Sequence, residues 1–261
     1  MGGRAMEKAA RGINRAIDFC LLILFLLMFF TGAYSMYDSY LAYGRAKDPS
    51  LYRSRPEKKE EWEKTKKLSD DVVAWLRIED TEIDFPVMQG EDNAEYLNKD
   101  PYGQYSLSGS IFLDARNAPD FSDPYNLIYG HHMEKGAMFG ALDAFLERGY
   151  LAEHSRGVLI LRDAEYTIDL FAVLDSDGRE PAIFDPVQGK DPLSYAKKHA
   201  RYHTQYPGNQ TGLIALTTCK ESDSLGRTVV LGTLEKREGV SRGIPEAERP
   251  ANTDFQTEPS G

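Results

Sequence analysis

Between residues 72 and 234 the chain breaks into eight short strand-like runs, and this punctuation constrains the fold more than any other feature. Residues 72–78 and 83–88 flank a polar turn around Asp80. Residues 110–113 and 125–129 follow, each bounded by Gly, Pro, Asp or Asn. Residues 157–161 and 166–174 face each other across 162–165, the spacing of a hairpin. Residues 213–218 and 228–234 complete the set. Such runs of Val, Ile, Leu, Tyr and Phe read as strands. About eight of them, separated by turn signals, point to a mainly β fold with added helices, a closed or nearly closed eight-stranded β-barrel. Two helices interrupt the strands. Residues 137–147 carry Met138, Phe139, Leu142, Phe145 and Leu146 at helical spacing, a core-facing stripe. Asp191-Pro192 opens the second, a capping residue followed by Pro at the first helical position, and the helix runs to about Tyr202. There are no internal repeats.

The N-terminal part has a different texture. Residues 19–30 are unbroken apolar, and weaker apolar character extends from 13 to 37. A spanning helix needs roughly 20 apolar residues, so 13–37 is long enough to be a transmembrane anchor. Arg4, Lys8, Arg11 and Arg15 outweigh Glu7 and Asp18 before it. That flank places residues 1–12 in the cytoplasm and the rest of the chain outside. The competing reading is a cleaved signal peptide, because Ala33-Tyr34-Ser35 is a passable cleavage site. The length of the apolar run favours the anchor, since a signal peptide core has about 7–15 residues. Position 6 is Met, so Gly2 is not in a myristoylation motif. Residues 38–71 are polar. Pro56 and the alternating charges of 57–64 read as an exposed helical stalk with a solvated charged face. The catalytic-domain candidate is 72–235, and 236–261, rich in Glu, Arg, Pro, Thr and Ser, is expected to be a disordered tail. Net charge is −10 with no basic stripe, which argues against a nucleic-acid partner.

Chemistry concentrates at one thiol. Cys20 lies in the apolar segment and Cys219 closes the buried run 213–219, so an intramolecular disulfide is not expected. Cys219 is either a small buried hydrophobe or a nucleophile. A nucleophile needs a route to thiolate, a proton donor for the leaving group, and positive charge where an oxyanion develops. His131 follows the run 125–129 through Gly130, and Arg227 opens the next run eight positions after the thiol. If the runs around Cys219 and Arg227 pair as neighbours, thiol and guanidinium meet at one sheet edge. Each has a plain alternative: His131 and His132 as surface histidines, Arg227 as an exposed loop residue. His131, His132 and Glu134 are weak metal candidates, because adjacent histidines rarely face one ion. Glu221 and Asp223 follow the thiol and could orient the histidine, although solvated loop charges are the simpler reading. His154, His199 and His203 sit in polar surroundings that imply no partner.

In this order the motifs resemble those of sortases, membrane-anchored cysteine transpeptidases of Gram-positive bacteria. Leu216-Thr217-Thr218-Cys219 resembles the Thr-Leu-x-Thr-Cys signature. Gly130-His131-His132-Met133 is similar to the histidine motif, and Gly226-Arg227-Thr228-Val229-Val230 to the arginine strand. Residues 74–78 and 81–87 resemble the opening strands. Residues 89–93 with Tyr96-Leu97, the stalk and the helix from Asp191 are similar to class B members. Ala215 departs from the pattern, standing where the signature has its first Thr.

The resemblance implies a reaction. Cys219 would attack the carbonyl after the Thr of a C-terminal sorting signal, for example of the Asn-Pro-x-Thr type. His131 would protonate the leaving amine, Arg227 would hold substrate or oxyanion, and Thr218 would line the substrate pocket. A cell-wall peptide amine or a pilin lysine would resolve the acyl-enzyme, with no metal or organic cofactor. The expected partners are surface proteins or pilins bearing the signal, a peptidoglycan precursor or pilin amine, and the membrane. The expected location is the cell membrane, with the catalytic domain extracellular. A membrane-anchored cysteine hydrolase on the same scaffold and a non-catalytic surface scaffold protein are the rival readings.

Overall fold

The computed structural model describes residues 2–46, 50–133, 136–188, 191–208, 212–219 and 226–237. Helix α1 spans Gly2–Ala46. Within it, Arg11–Tyr40 is long and apolar enough to cross a membrane, with a mean hydropathy of 2.4 in its most apolar window and none of that window buried against the protein. Among the described residues nine strands follow: β1 Val72–Ile78, β2 Asp84–Met88, β3 Ile111–Leu113, β4 Tyr125–Gly130, β5 Arg156–Ile160, β6 Glu165–Asp177, β7 Tyr202–His203, β8 Gly212–Cys219 and β9 Gly226–Lys236. Their order is β5-β1-β2-β3-β4-β8-β9-β6-β7, and β5 also pairs with β6. That extra pairing closes eight strands into a barrel and removes their open edges. The two-residue β7 is an addition on β6 that the sequence did not announce. Most neighbours are antiparallel, but β2–β3 and β4–β8 run parallel.

β8 shows why its run is unbroken apolar. Ile214 and Leu216 face the barrel interior with Leu76, Ile128, Leu159, Ile168 and Val230. Leu213 and Ala215 face the opposite way, into a second layer with Leu127, Phe171, Val229 and Leu231. A strand alternates its side chains, so one buried on both faces has no polar position until it ends. The second layer is roofed by α3 (Pro181–Phe184) and α4 (Pro192–His199) through Ile183, Leu193 and Ala196. Asp191 caps α4, its carboxylate accepting from the Leu193 and Ser194 amides at 3.1 and 3.2 Å. The helix ends at His199, three residues short of the expected Tyr202. Ala215 is fully buried in this layer. On the long strand β6, Ile168 and Leu170 join the interior, a bulge intervenes between Leu170 and Ala172, and the interior position then falls on Val173. The extra residue resets the alternation.

The polar segment after α1 is not the exposed α-helix its charges suggested. It contains two 3₁₀ segments, Leu51–Ser54 and Lys59–Lys67. Leu51, Trp62 and Leu68 pack with Trp75, Val158 and Ile160 on the outer face of β1 and β5. The buried positions Trp62, Thr65 and Leu68 recur every three residues, the period at which 3₁₀ side chains align. Asp84 receives the Trp75 indole N–H at 2.7 Å and pairs with Arg55, which also pairs with Glu57. The helix expected over 137–147 is likewise a 3₁₀ segment, Phe139–Leu146, with Phe139, Leu142 and Phe145 buried at the same period. It is followed by the short helix α2, Tyr150–Glu153. A disordered tail is expected over 236–261; β9 takes in Lys236, and residues 238–261 lie outside the described residues.

Candidate active site

The site lies where β4 and β8 finish and β9 begins. In the parallel β4–β8 ladder Tyr129 partners Thr217 and Gly130 partners Thr218. One further step brings the backbones of His131 and Cys219 to the same level. On the other edge of β8, Cys219 partners Arg227 in the antiparallel ladder. Three residues 88 to 96 positions apart along the chain, or eight in the case of Cys219 and Arg227, thus share one row across three adjacent strands. Pairing with β9 is the juxtaposition expected from the sequence; the parallel pairing with β4, which delivers His131, required the fold.

A cleft of about 550 Å³ opens over this row, lined by His131, Thr218 and Arg227 together with Thr217, Tyr129, Phe112, Asn93 and Leu97. Three of the four residues singled out from sequence therefore line one cleft, and the fourth, Cys219, occupies the ladder between them. Thr217 was not singled out. Its hydroxyl is buried and has no partner among the described residues. Tyr129, Asn93 and Leu97 were also missed as cleft residues, although Tyr129 follows Leu127 at period two and shares its face.

The turn carrying His131 is tightly built. A Cβ at Gly130 would fall 2.4 Å from the Ile111 side chain and 2.7 Å from the Phe139 ring, so glycine lets the strand end pass against both. Phe139 N–H donates to the His131 carbonyl at 3.1 Å. His132 bridges backbone-to-backbone with Met138, whose φ of 52° is unusual for a side-chain-bearing residue and stores about 1–3 kcal/mol of strain. His132 Nε2 lies 2.7 Å from Asp143 on the 139–146 segment. A Cβ at Gly140 would sit 1.9 Å from the Met133 carbonyl oxygen.

Electrostatics favour a neutral imidazole. Burial pushes the His131 pKa below its ordinary value, because low polarity disfavours the charged ring. Its Nδ1 is enclosed with no hydrogen-bond partner among the described residues. A neutral imidazole carries one N–H and one lone pair, so it can take a proton and return it. Tyr129 is held protonated: burial, then the Asp114 charge and hydrogen bond, raise its pKa, while Arg116 and Arg227 oppose them. Its hydroxyl donates to Asp114 at 3.1 Å.

The remaining sequence candidates do not meet here. His154 and His199 stack on Tyr150 and Tyr195, and His203 Nδ1 contacts the Thr204 carbonyl. Glu134, Glu221 and Asp223 lie outside the described residues. Among the described residues no group of three or more His, Cys, Asp or Glu is placed to hold a metal ion. Ala215 does not line the cleft.

Comparison with known proteins places the arrangement. The Sortase domain family matches residues 76–235. Sortase B of Listeria monocytogenes is 32% identical over 195 residues, covering 72% of this chain and 79% of that protein. The crystal structure of a Streptococcus pyogenes class B sortase involved in pilus biogenesis superposes with a TM-score of 0.60 at 35% identity, covering 67% of this chain and 97% of that one. The Listeria monocytogenes sortase B structure gives a TM-score of 0.57 at 31% identity, covering 66% and 97%. Sequence, barrel topology and cleft agree, and the chain belongs to the sortase family of cysteine transpeptidases, within its class B.

Proposed function

We propose that this enzyme cleaves a C-terminal sorting signal after its Thr and transfers the acyl group to an amine of the cell wall or of a pilin. His131 takes the Cys219 thiol proton as the sulfur adds to the Thr carbonyl carbon, and it passes that proton to the leaving amine as the C–N bond breaks. The product is a thioester on Cys219. An incoming amine then attacks the same carbon and loses its proton to His131, the C–S bond breaks, and His131 returns the proton to the Cys219 sulfur. Arg227 supports the negative charge on the carbonyl oxygen in both steps, with a guanidinium that stays charged and offers several donors. Thr218 lines the pocket beside it. A covalent intermediate permits transfer to an amine in place of water.

The observation that carries this reading is the single row formed by His131, Cys219 and Arg227 at the end of β4, the end of β8 and the start of β9, under a cleft of about 550 Å³. A similar class B sortase, from Streptococcus pyogenes, is involved in pilus biogenesis, which supports a pilin amine as one of the two acceptors. The apolar segment of α1 serves as a single-pass anchor, with the basic N-terminal flank on the cytoplasmic side and the catalytic domain outside.

The test is a sorting-signal peptide library incubated with enzyme, with and without added amine, followed by mass spectrometry. Wild type is expected to form a thioester and, with amine, a transpeptidation product. Cys219→Ala is expected to form neither. Arg227→Lys is expected to lose most activity, since one ammonium cannot reproduce the guanidinium fork. Full activity of Cys219→Ala would sink the assignment, and hydrolysis product alone in the presence of amine would favour a hydrolase.

A further inference from the structure

A buried carboxylate beside the cleft, paired with a partly exposed arginine, takes no part in the reaction scheme. Asp114 follows β3, and its side chain has no exposed surface. A carboxylate removed from water is costly unless every lone pair is occupied. Here Arg116 grips it with a two-armed fork, Nε to Oδ1 at 2.9 Å and Nη2 to Oδ2 at 2.8 Å, and adds its own backbone N–H at 3.0 Å. Burial alone would raise the carboxyl pKa, and the hydrogen bonds from Arg116 and Asn93 outweigh it and hold it below the usual range.

The other donors to this carboxylate are two walls of the cleft. Asn93 Nδ2 donates to Oδ2 at 2.9 Å, and Asn93 Oδ1 accepts from the Ala115 amide at 2.7 Å. An anion on one side and an N–H on the other leave the amide a single orientation. The Tyr129 hydroxyl donates to the same Oδ2, while its ring stacks on Phe112 at 5.3 Å. Arg116 reaches the other way, to the Phe184 carbonyl at 2.9 Å and Asp185 at 3.4 Å, at the end of α3. The Asp114–Arg116 pair therefore ties together the loop before β3, strand β4 and the crossover that carries α3.

We infer that Asp114 is a positioning residue for recognition of the donor polypeptide: it sets Asn93 and Tyr129 along the cleft wall, with Arg116 clamping the carboxylate to the α3 segment. This rests on the reading that the cleft holds the sorting signal. Asp114 itself, fully buried, touches neither substrate nor the His131–Cys219–Arg227 row. Its loss should loosen donor binding and leave the chemistry of an already bound donor largely intact.

The experiment compares wild type, Asp114→Asn and Arg116→Lys in steady-state transpeptidation, after circular dichroism has shown each to be folded. Asp114→Asn is expected to raise the donor KM about tenfold with kcat within about twofold, a pattern that marks lost uniform binding. The acceptor KM and the pH profile of Cys219 alkylation should not change. Asn93→Ala should cost clearly less in the Asp114→Asn background than in wild type, because residues acting through one another are not additive. An unchanged donor KM, an equal fall in kcat, a shifted alkylation profile or strict additivity with Asn93→Ala would each overturn the inference. If Asp114→Asn does not fold, Arg116→Lys decides, since it keeps the charge and loses the fork; the same KM rise is expected and an unchanged KM refutes it. Failure of wild type to form an acyl-enzyme would overturn the reading of the cleft itself, a result distinct from any of these.

Discussion

Two 3₁₀ segments, Lys59–Lys67 and Phe139–Leu146, use the same local device for different ends. Each buries a stripe at period three: Trp62 and Thr65, continued by Leu68, in one; Phe139, Leu142 and Phe145 in the other. The first lies on the outer face of β1 and β5, packed against Trp75, Val158 and Ile160. The second joins the barrel interior, and its start is hydrogen-bonded to the His131 carbonyl. The first segment covers apolar surface, and none of its residues lines the cleft. The second converts the same kind of burial into the placement of an imidazole. A tightly packed core resists small displacements, so anchoring the His131 turn on interior aromatics makes its position as rigid as the barrel.

That contrast breaks most visibly at Trp62. Trp62→Ala should remove about 3–5 kcal/mol of stability, read by denaturant unfolding, while activity per folded molecule stays at the wild-type level. A fall in kcat of the folded variant would show that the outer segment also shapes the site. Gly140→Ala should act on the rate as well. Its new methyl would meet the Met133 carbonyl oxygen and push the turn two residues from His131. A shift of about 1 Å in a catalytic group can lower the rate about 100-fold, so kcat of the folded variant should fall by that order, alongside the about 1–3 kcal/mol of stability that overpacking costs. A wild-type rate would mean that the turn relaxes without moving the imidazole. The smallest effect belongs to Asp143→Asn, which weakens the partly exposed contact to His132. Such pairs contribute about 0.2–1 kcal/mol, and a rate change beyond about fivefold would give the contact a larger part in holding the turn.

Much of the fold was readable without coordinates. All eight strand-like runs are strands, and Asp191-Pro192 does open a helix. Alternation, turn residues and capping are local, and local signals survive in the sequence. The two 3₁₀ segments were read as ordinary helices because the apolar spacings of three and four overlap over so few turns. The charges of 57–64 suggested a solvated face, and Trp62 at its centre was the neglected sign of a docking surface. At the site, residue type and chain position raised His131, Cys219 and Arg227 as candidates, and the resemblance to sortase motifs added Thr218. Thr217, Asn93 and Tyr129 carry no such mark, since a hydroxyl, an amide or a phenol becomes part of a cleft only through its neighbours.

The sequence by itself determined the strand positions, the apolar anchor-length segment, and the thiol, imidazole and guanidinium, because each rests on periodicity, composition or the chemistry of one side chain. Tertiary structure decided that β5 closes the barrel between β1 and β6, and that β4 runs parallel to β8 so that His131 stands level with Cys219. It also decided that Asp114 is buried against Arg116, Asn93 and Tyr129. These are long-range pairings. Their stability comes from surfaces brought together only when the whole chain has folded, and no local stretch of sequence contains both partners.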